Sequence, residues 1–145
     1  MKKKGKTATA HSDILRQLRT LVVDDASLLS CVRQLLDTQA LVQAVGTAAG
    51  GVKALHKAAA LTPDLMVMDL HIPCIDGLQA TVLLRRRQHD THMIIMTLDE
   101  KNGTKAAAWA HGAHSSVGKS RIATDLVTEI RRVFRLNHAA DEQSL

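Results

Sequence analysis

Apolar positions along this chain fall into short unbroken runs, separated by longer segments in which they recur every three or four residues. The short runs are Thr20 to Val23, Leu41 to Val45, Asp64 to Asp69, Met93 to Met96 and Ser115 to Val117. Such runs, bounded by turn signals, are what strands buried on both faces look like. The longer segments read as helices. Ser27 caps the first, which carries Leu28, Leu29, Val32, Leu35 and Leu36 at helical spacing. Gly50-Gly51 opens the second, with Val52, Leu55 and Ala59 as its apolar positions and an end before Pro63. Leu78 to Gln88 is the third, bearing Val82 and Leu83. Lys105 to His111 is an alanine-rich fourth, stopped by Gly112. Ile122, Leu126, Ile130, Val133 and Phe134 trace the stripe of a long terminal helix. Strand and helix alternate five times. That alternation predicts an α/β domain, a doubly wound five-stranded parallel sheet with right-handed crossovers.

The polar residues that end the runs change the picture from fold to chemistry. In a parallel sheet every strand releases the chain at one edge, where ligand crevices form. The five runs end in or just before Asp24-Asp25, Asp69, Thr97 and Lys119 along that edge, with the second contributing no such group. Asp69 is the most telling: a buried run ends in one carboxylate, and the turn residues Pro73 and Asp76-Gly77 follow. Three carboxylates crowded together repel unless a cation joins them. Hard oxygen ligands of this kind suit Mg²⁺, and Lys119 and Thr97 add an ammonium and a hydroxyl. Two cations and a hydrogen-bond donor around one carboxylate make a receptor for a phosphoryl group. The bland alternative is a set of unrelated surface acids at strand ends.

Composition narrows the class further. The chain has 145 residues, enough for one domain with a sizeable core, and Trp109 and Phe134 are its only Trp, Tyr or Phe residues. Cys31 and Cys74 form no CxxC pair, so neither a disulfide framework nor a zinc site is indicated. No segment approaches the ~18 apolar residues of a membrane span. No apolar region follows the basic start, so no secretory signal is expected and the cytoplasm is the expected location. The net charge is +5, but four lysines sit in the first six residues. Residues 1–16 therefore read as a flexible basic arm, 17–137 as the domain and 138–145 as a tail. Arg85-Arg86-Arg87 and Arg131-Arg132 lack interleaved aromatics and read as solvated helix faces, so nucleic acid is not an expected partner. His89 with His92, and His111 with His114, are each three apart, yet neither pair has a third ligand nearby, and metal binding there is not expected.

The acidic pair after the first strand, Asp69 with Pro73 and Asp76-Gly77-Leu78, Thr97, and Gly112-Ala113 leading to Lys119 resemble, in type and spacing, the receiver domains of bacterial two-component response regulators. The resemblance covers about residues 19 to 137. Val45-Gly46-Thr47-Ala48 and Asp76-Gly77-Leu78-Gln79-Ala80-Thr81 look most like the NarL-type branch, here as a single domain without the DNA-binding output domain usual in that branch. It implies a flavodoxin-like, CheY-like (βα)5 fold. It implies Asp69 as phosphoacceptor, Mg²⁺ served by Asp24, Asp25, Asp69 and the backbone carbonyl of His71, and Thr97 and Lys119 on the phosphoryl oxygens. The donor would be a histidine kinase or a phosphotransfer protein. An output protein would be docked by the phosphorylated form, or a homodimer formed. The chain would catalyse only its own phosphorylation and dephosphorylation. Three departures stand out: Ile72 for a methionine, Leu98 for a small residue, which would crowd the loop above the site, and Ser116 where the family's switch carries an aromatic ring.

His71 and Asp99, two residues after Asp69 and Thr97, occupy the positions where receiver domains set phosphoryl lifetime. Trp109, on the fourth helix beside the strand of Ser116, is the expected output anchor; the alternative is an indole packed in the core. Two other functions compete. One is a degenerate receiver serving as a phosphorylation-independent scaffold. The other is an aspartyl-phosphate hydrolase of the haloacid dehalogenase kind, which needs a second acid where His71 stands.

Overall fold

The computed structural model describes residues 16–24, 26–71, 77–88, 90–98 and 102–135, with the backbone alone for 26–29 and 102–105. Among the described residues five strands and five helices alternate: β1 (Leu18–Val23), α1 (Ala26–Asp37), β2 (Val42–Ala48), α2 (Gly51–Leu61), β3 (Leu65–Asp69), α3 (Gly77–Arg87), β4 (His92–Thr97), α4 (Asn102–Ala110), β5 (Ser115–Gly118) and α5 (Ile122–Phe134). A 3-10 turn, Lys119–Arg121, links β5 to α5. All strands pair in parallel in the order β2-β1-β3-β4-β5. The doubly wound (βα)5 sheet expected from the alternation is present. The chain order reverses between β1 and β3, and ligand crevices of open α/β sheets lie beside such a reversal.

Period-two alternation along the strands builds two cores, one on each face of the sheet. Leu21, Val23, Met66, Met68, Met93 and Ile95 pack with Ala54 and Ala58 of α2, Ala80 and Leu84 of α3, and Ala108 of α4. Val22, Leu65, Val67, Ile94 and Met96 pack with Val32 and Leu36 of α1 and Ile122, Leu126 and Ile130 of α5. All five residues of β3 are buried, as expected for the central strand. Each large aliphatic side chain taken fully from water contributes about 1.5–3 kcal/mol.

Two helix faces differ from the expected ones. In α2 the sheet side is Gly51, Ala54 and Ala58, while Val52 and Ala59 are exposed and Leu55 is half-buried. In α3 it is Gly77, Ala80, Thr81 and Leu84, with Val82 and Leu83 half-buried. Small residues let a helix axis come close to the sheet, and the larger neighbours then cover the flank. The second strand also runs past Val45 to Ala48, where Gly46, Thr47 and Ala48 pair with Leu21, Val22 and Val23; the register shift between Thr20 and Leu21 leaves Val45 as the extra residue.

Candidate functional site

Asp24 and Asp69 come from adjacent central strands that share one register: Val23 stands opposite Met68, and each acid is the next residue along. The alternation that buries Val22 and Val67 on the α1/α5 face carries both acids to that same side. Backbone bonds hold the strand ends beyond the regular ladder. Asp24 N–H donates to Ala48 O at 3.1 Å, and Leu70 N–H donates to Met96 O at 2.8 Å. Asp24 is fully buried and Asp69 is 1 % exposed.

Lys119 enters from the turn after β5. Its Nζ lies 2.9 Å from Asp69 Oδ2 and 3.8 Å from Asp24 Oδ1, and its side chain is 14 % exposed. Two buried carboxylates thus share one nearly buried ammonium. Asp69 Oδ1 accepts the backbone N–H of His71 at 3.2 Å, which turns the chain sharply after the strand. Asp69 Oδ2 is buried and, among the described residues, accepts no hydrogen bond of good angle, so the ammonium is what faces it. Thr97, the last residue of β4, is buried beside β5, opposite Gly118.

Among the expected site residues, the structure brings Asp24, Asp69 and Lys119 into direct contact and places Thr97 at the same sheet edge. Asp25, Ile72 and Asp99 lie outside the described residues. His71 is exposed next to Asp69, and its carbonyl belongs to the turn that leaves β3. Leu98 is 74 % exposed. It turns to solvent at the rim, and residues 99–101 of the loop it was expected to crowd lie outside the described residues. Ser116 is buried in β5. Trp109 is on α4, as expected, and 58 % exposed; the alternative of a core indole does not hold.

One positioning residue went unrecognised in the sequence as more than a turn former. Gly77 donates its N–H to Leu70 O at 2.7 Å, and a Cβ there would come within 2.6 Å of Asp69 O. The start of α3 therefore rests on the main chain of the Asp69–Leu70 pair. Its signal was the glycine at a helix start, three residues before the helix's first buried alanine.

Two buried carboxylates and a lysine form an oxygen-rich, anionic pocket that suits Mg²⁺ more than a softer metal. Among the described residues no group of three His, Cys, Asp or Glu stands together, the expected third carboxylate being Asp25. No helix among them is long and apolar enough to cross a membrane.

Comparison with known proteins gives one family. The family model described as "Response regulator receiver domain" matches residues 20–131. Response regulator GacA of Pseudomonas viridiflava is 36 % identical over 119 residues, covering 81 % of this chain and 55 % of that protein. Protein-glutamate methylesterase/protein-glutamine glutaminase of Methanococcoides burtonii is 30 % identical over 129 residues, covering 83 % of this chain and 37 % of that one. The chain thus spans about half or less of the length of these relatives. Among solved structures, a two-component response regulator of the LuxR family from Aurantimonas sp. SI85-9A1 superposes with a TM-score of 0.77 at 27 % identity, covering 83 % of this chain and 86 % of that one. The signal receiver domain of the response regulator NarL from Mycobacterium tuberculosis shares the fold, with a TM-score of 0.77 at 24 % identity over 84 % of this chain and 99 % of that one.

Proposed function

Because the chain belongs to the response regulator receiver domain family, we propose that it accepts a phosphoryl group on Asp69 and signals through the altered surface that results. The observation that carries this reading is the Lys119 ammonium, 2.9 Å from buried Asp69 and 3.8 Å from buried Asp24. A lysine so placed holds two acids together in the resting state and offers its charge to an incoming phosphoryl oxygen.

The reaction needs little from the protein beyond position and charge. An Asp69 carboxylate oxygen attacks the phosphorus of a phosphohistidine on a histidine kinase or phosphotransfer protein. The P–N bond breaks, its electron pair passes to the imidazole nitrogen, which takes up a proton, and an acyl phosphate remains on Asp69. Lys119 and the Thr97 hydroxyl meet the transferred oxygens at the same sheet edge. Asp24, Asp25, Asp69 and the His71 carbonyl would hold Mg²⁺. Bound Mg²⁺ supplies positive charge to the phosphoryl oxygens and relieves repulsion among the acids. His71 and Asp99 set the lifetime of the acyl phosphate by admitting or excluding the hydrolysing water. An aspartyl-phosphate hydrolase would place an acid where exposed His71 stands, which speaks against that alternative.

The surface read by partners lies on α4, β5 and α5, and exposed Trp109 is its aromatic anchor. With Ser116 buried and small, a change at Thr97 reaches this surface by repacking around β5 rather than by rotation of a ring at that position. The domain itself occupies 17–137, the arm 1–16 and the tail 138–145. The experiment is incubation with a small phosphodonor, with and without Mg²⁺. Wild type should gain one base-labile phosphoryl group only with the metal, Asp69→Ala none, and Lys119→Met far less. Equal labelling of wild type and Asp69→Ala would retire the proposal.

A further inference from the structure

At the amino-terminal edge of the sheet, opposite Asp69, the structure assembles a cluster that no step of phosphorylation uses. His92 opens β4 and His114 immediately precedes β5. Their rings stack, centroid to centroid 4.5 Å apart and tilted by 38°, and His92 stacks in turn on Phe134 at 4.3 Å. Phe134 is the last residue of α5. The spacing of histidines along the chain had paired His92 with His89 and His114 with His111. The fold pairs His92 with His114 instead, and His89 lies outside the described residues.

Hydrogen bonding sets the protonation state. Met93 N–H donates to His114 Nδ1 at 3.0 Å, while His114 N–H donates to Met93 O at 2.8 Å. One residue thus satisfies both main-chain groups of Met93 and clamps the start of the β4–β5 pairing. The ring can accept that N–H only while Nδ1 keeps its lone pair, so the neutral Nε2–H tautomer is required. A proton on Nδ1 would set two donors head to head. Among the described residues His92 Nδ1 is buried without a hydrogen-bond partner of good geometry, and the Asp90 and Asp64 backbone groups near the ring favour its charged form less than burial and Arg85 oppose it.

The charges around the stack come from two sides. Arg85 of α3 reaches Thr91 O at 3.3 Å and opposes protonation of both rings. Asp64, ahead of β3, favours a charged His92 but is already bound to Arg16 at 2.8 Å. On α5, Glu129 is engaged by Arg132 at 2.8 Å and by Ser115 Oγ at 2.6 Å.

We propose that the His114–His92–Phe134 stack is a proton-sensitive latch that holds the end of α5 on the sheet and releases it on acidification. Burial, the neighbouring His92 and Arg85 push the His114 ring down from 6.5 to about 4. Burial and Arg85 lower His92 as well. In the released form both rings have ordinary basicity and take up protons below pH 6.5. The latch is therefore at full strength above that pH and weakens as pH falls from 6.5 toward 4. The released population grows by up to about tenfold per pH unit for each ring that titrates. Its partner is the proton alone, and it acts on the helix that forms part of the proposed output surface without touching Asp69.

Hydrogen exchange of the full chain, corrected for intrinsic rates and read on peptides covering residues 126–135, follows the release. Ring C–H resonances of His114 follow protonation in parallel. Wild-type protection should fall steeply between about pH 6.5 and 5. His92→Phe, which keeps the stack, should fall less steeply. His92→Phe combined with His114→Asn, whose amide oxygen accepts the Met93 N–H, should be nearly flat. A His114 ring that titrates at its ordinary value, or an unchanged slope in His92→Phe, overturns the proposal even if the double variant does not fold.

Discussion

Replacing Gly77 by alanine tests how tightly α3 is seated on the main chain that carries Asp69. An ideal Cβ would stand 2.6 Å from Asp69 O, 2.7 Å from Leu70 Cα and 2.9 Å from Leu70 O. All three are backbone atoms, so no side chain can rotate aside and either the helix start or the Asp69–Leu70 peptide must shift. Overpacking of this kind costs about 1–3 kcal/mol. Alanine recovers at most about 0.5–1 kcal/mol through the reduced freedom of the unfolded chain. A net loss of about 1–2 kcal/mol follows, which lowers the melting temperature by roughly 4–8 °C. Gly46→Ala is the matched control. There the Cβ meets Leu61 Cδ1 at 3.0 Å and Leu21 Cδ1 at 3.4 Å, both ends of flexible side chains. That variant should stay within about 0.5 kcal/mol of wild type. Thermal and urea unfolding of the three proteins, followed by circular dichroism, gives the comparison. Gly77→Ala as stable as Gly46→Ala would refute the reasoning, and the role assigned to Gly77 with it.

Ser115→Ala removes the 2.6 Å bond to Glu129 that ties α5 to β5; about 1–2 kcal/mol should be lost by urea titration. Exchange of His71 or Asp99 should change the dephosphorylation rate with little effect on phosphorylation, measured by decay of the labelled protein after donor removal. Beryllofluoride with Mg²⁺ should shift the emission of Trp109, the single tryptophan. Trp109→Ala should weaken partner binding or dimerisation while Asp69 labelling is unchanged.

The sheet was legible in the sequence because a strand buried on both faces must be apolar throughout, and Leu65 to Met68 and Met93 to Met96 satisfy that without help from context. The edge cluster was legible for the same reason: parallel strands deliver their final residues to one line, so Asp24, Asp69, Thr97 and Lys119 had to approach one another. Helix orientation was harder to read. Large apolar residues dominate a periodicity, and Val52 suggested a buried face that the structure gives to Ala54 and Ala58, since the close seat of α2 on the sheet admits only small side chains. The His92–His114 pair was invisible for a different cause. Its members are 22 positions apart and meet through strand pairing, which spacing along the chain does not encode. Trp109 lay between: position on α4 followed from counting back from Gly112, whereas its exposure depended on which flank of α4 faces the sheet.

The central claim is that Asp69 forms the acyl phosphate, and borohydride trapping tests it most directly. Reduction of an aspartyl phosphate converts that residue to homoserine, which tandem mass spectrometry places on the sequence. After incubation with a small phosphodonor and Mg²⁺, homoserine should appear at position 69 and vanish in Asp69→Ala and in reactions without metal. Homoserine at another position in wild type, or none in protein shown to carry the phosphoryl group, would contradict the account.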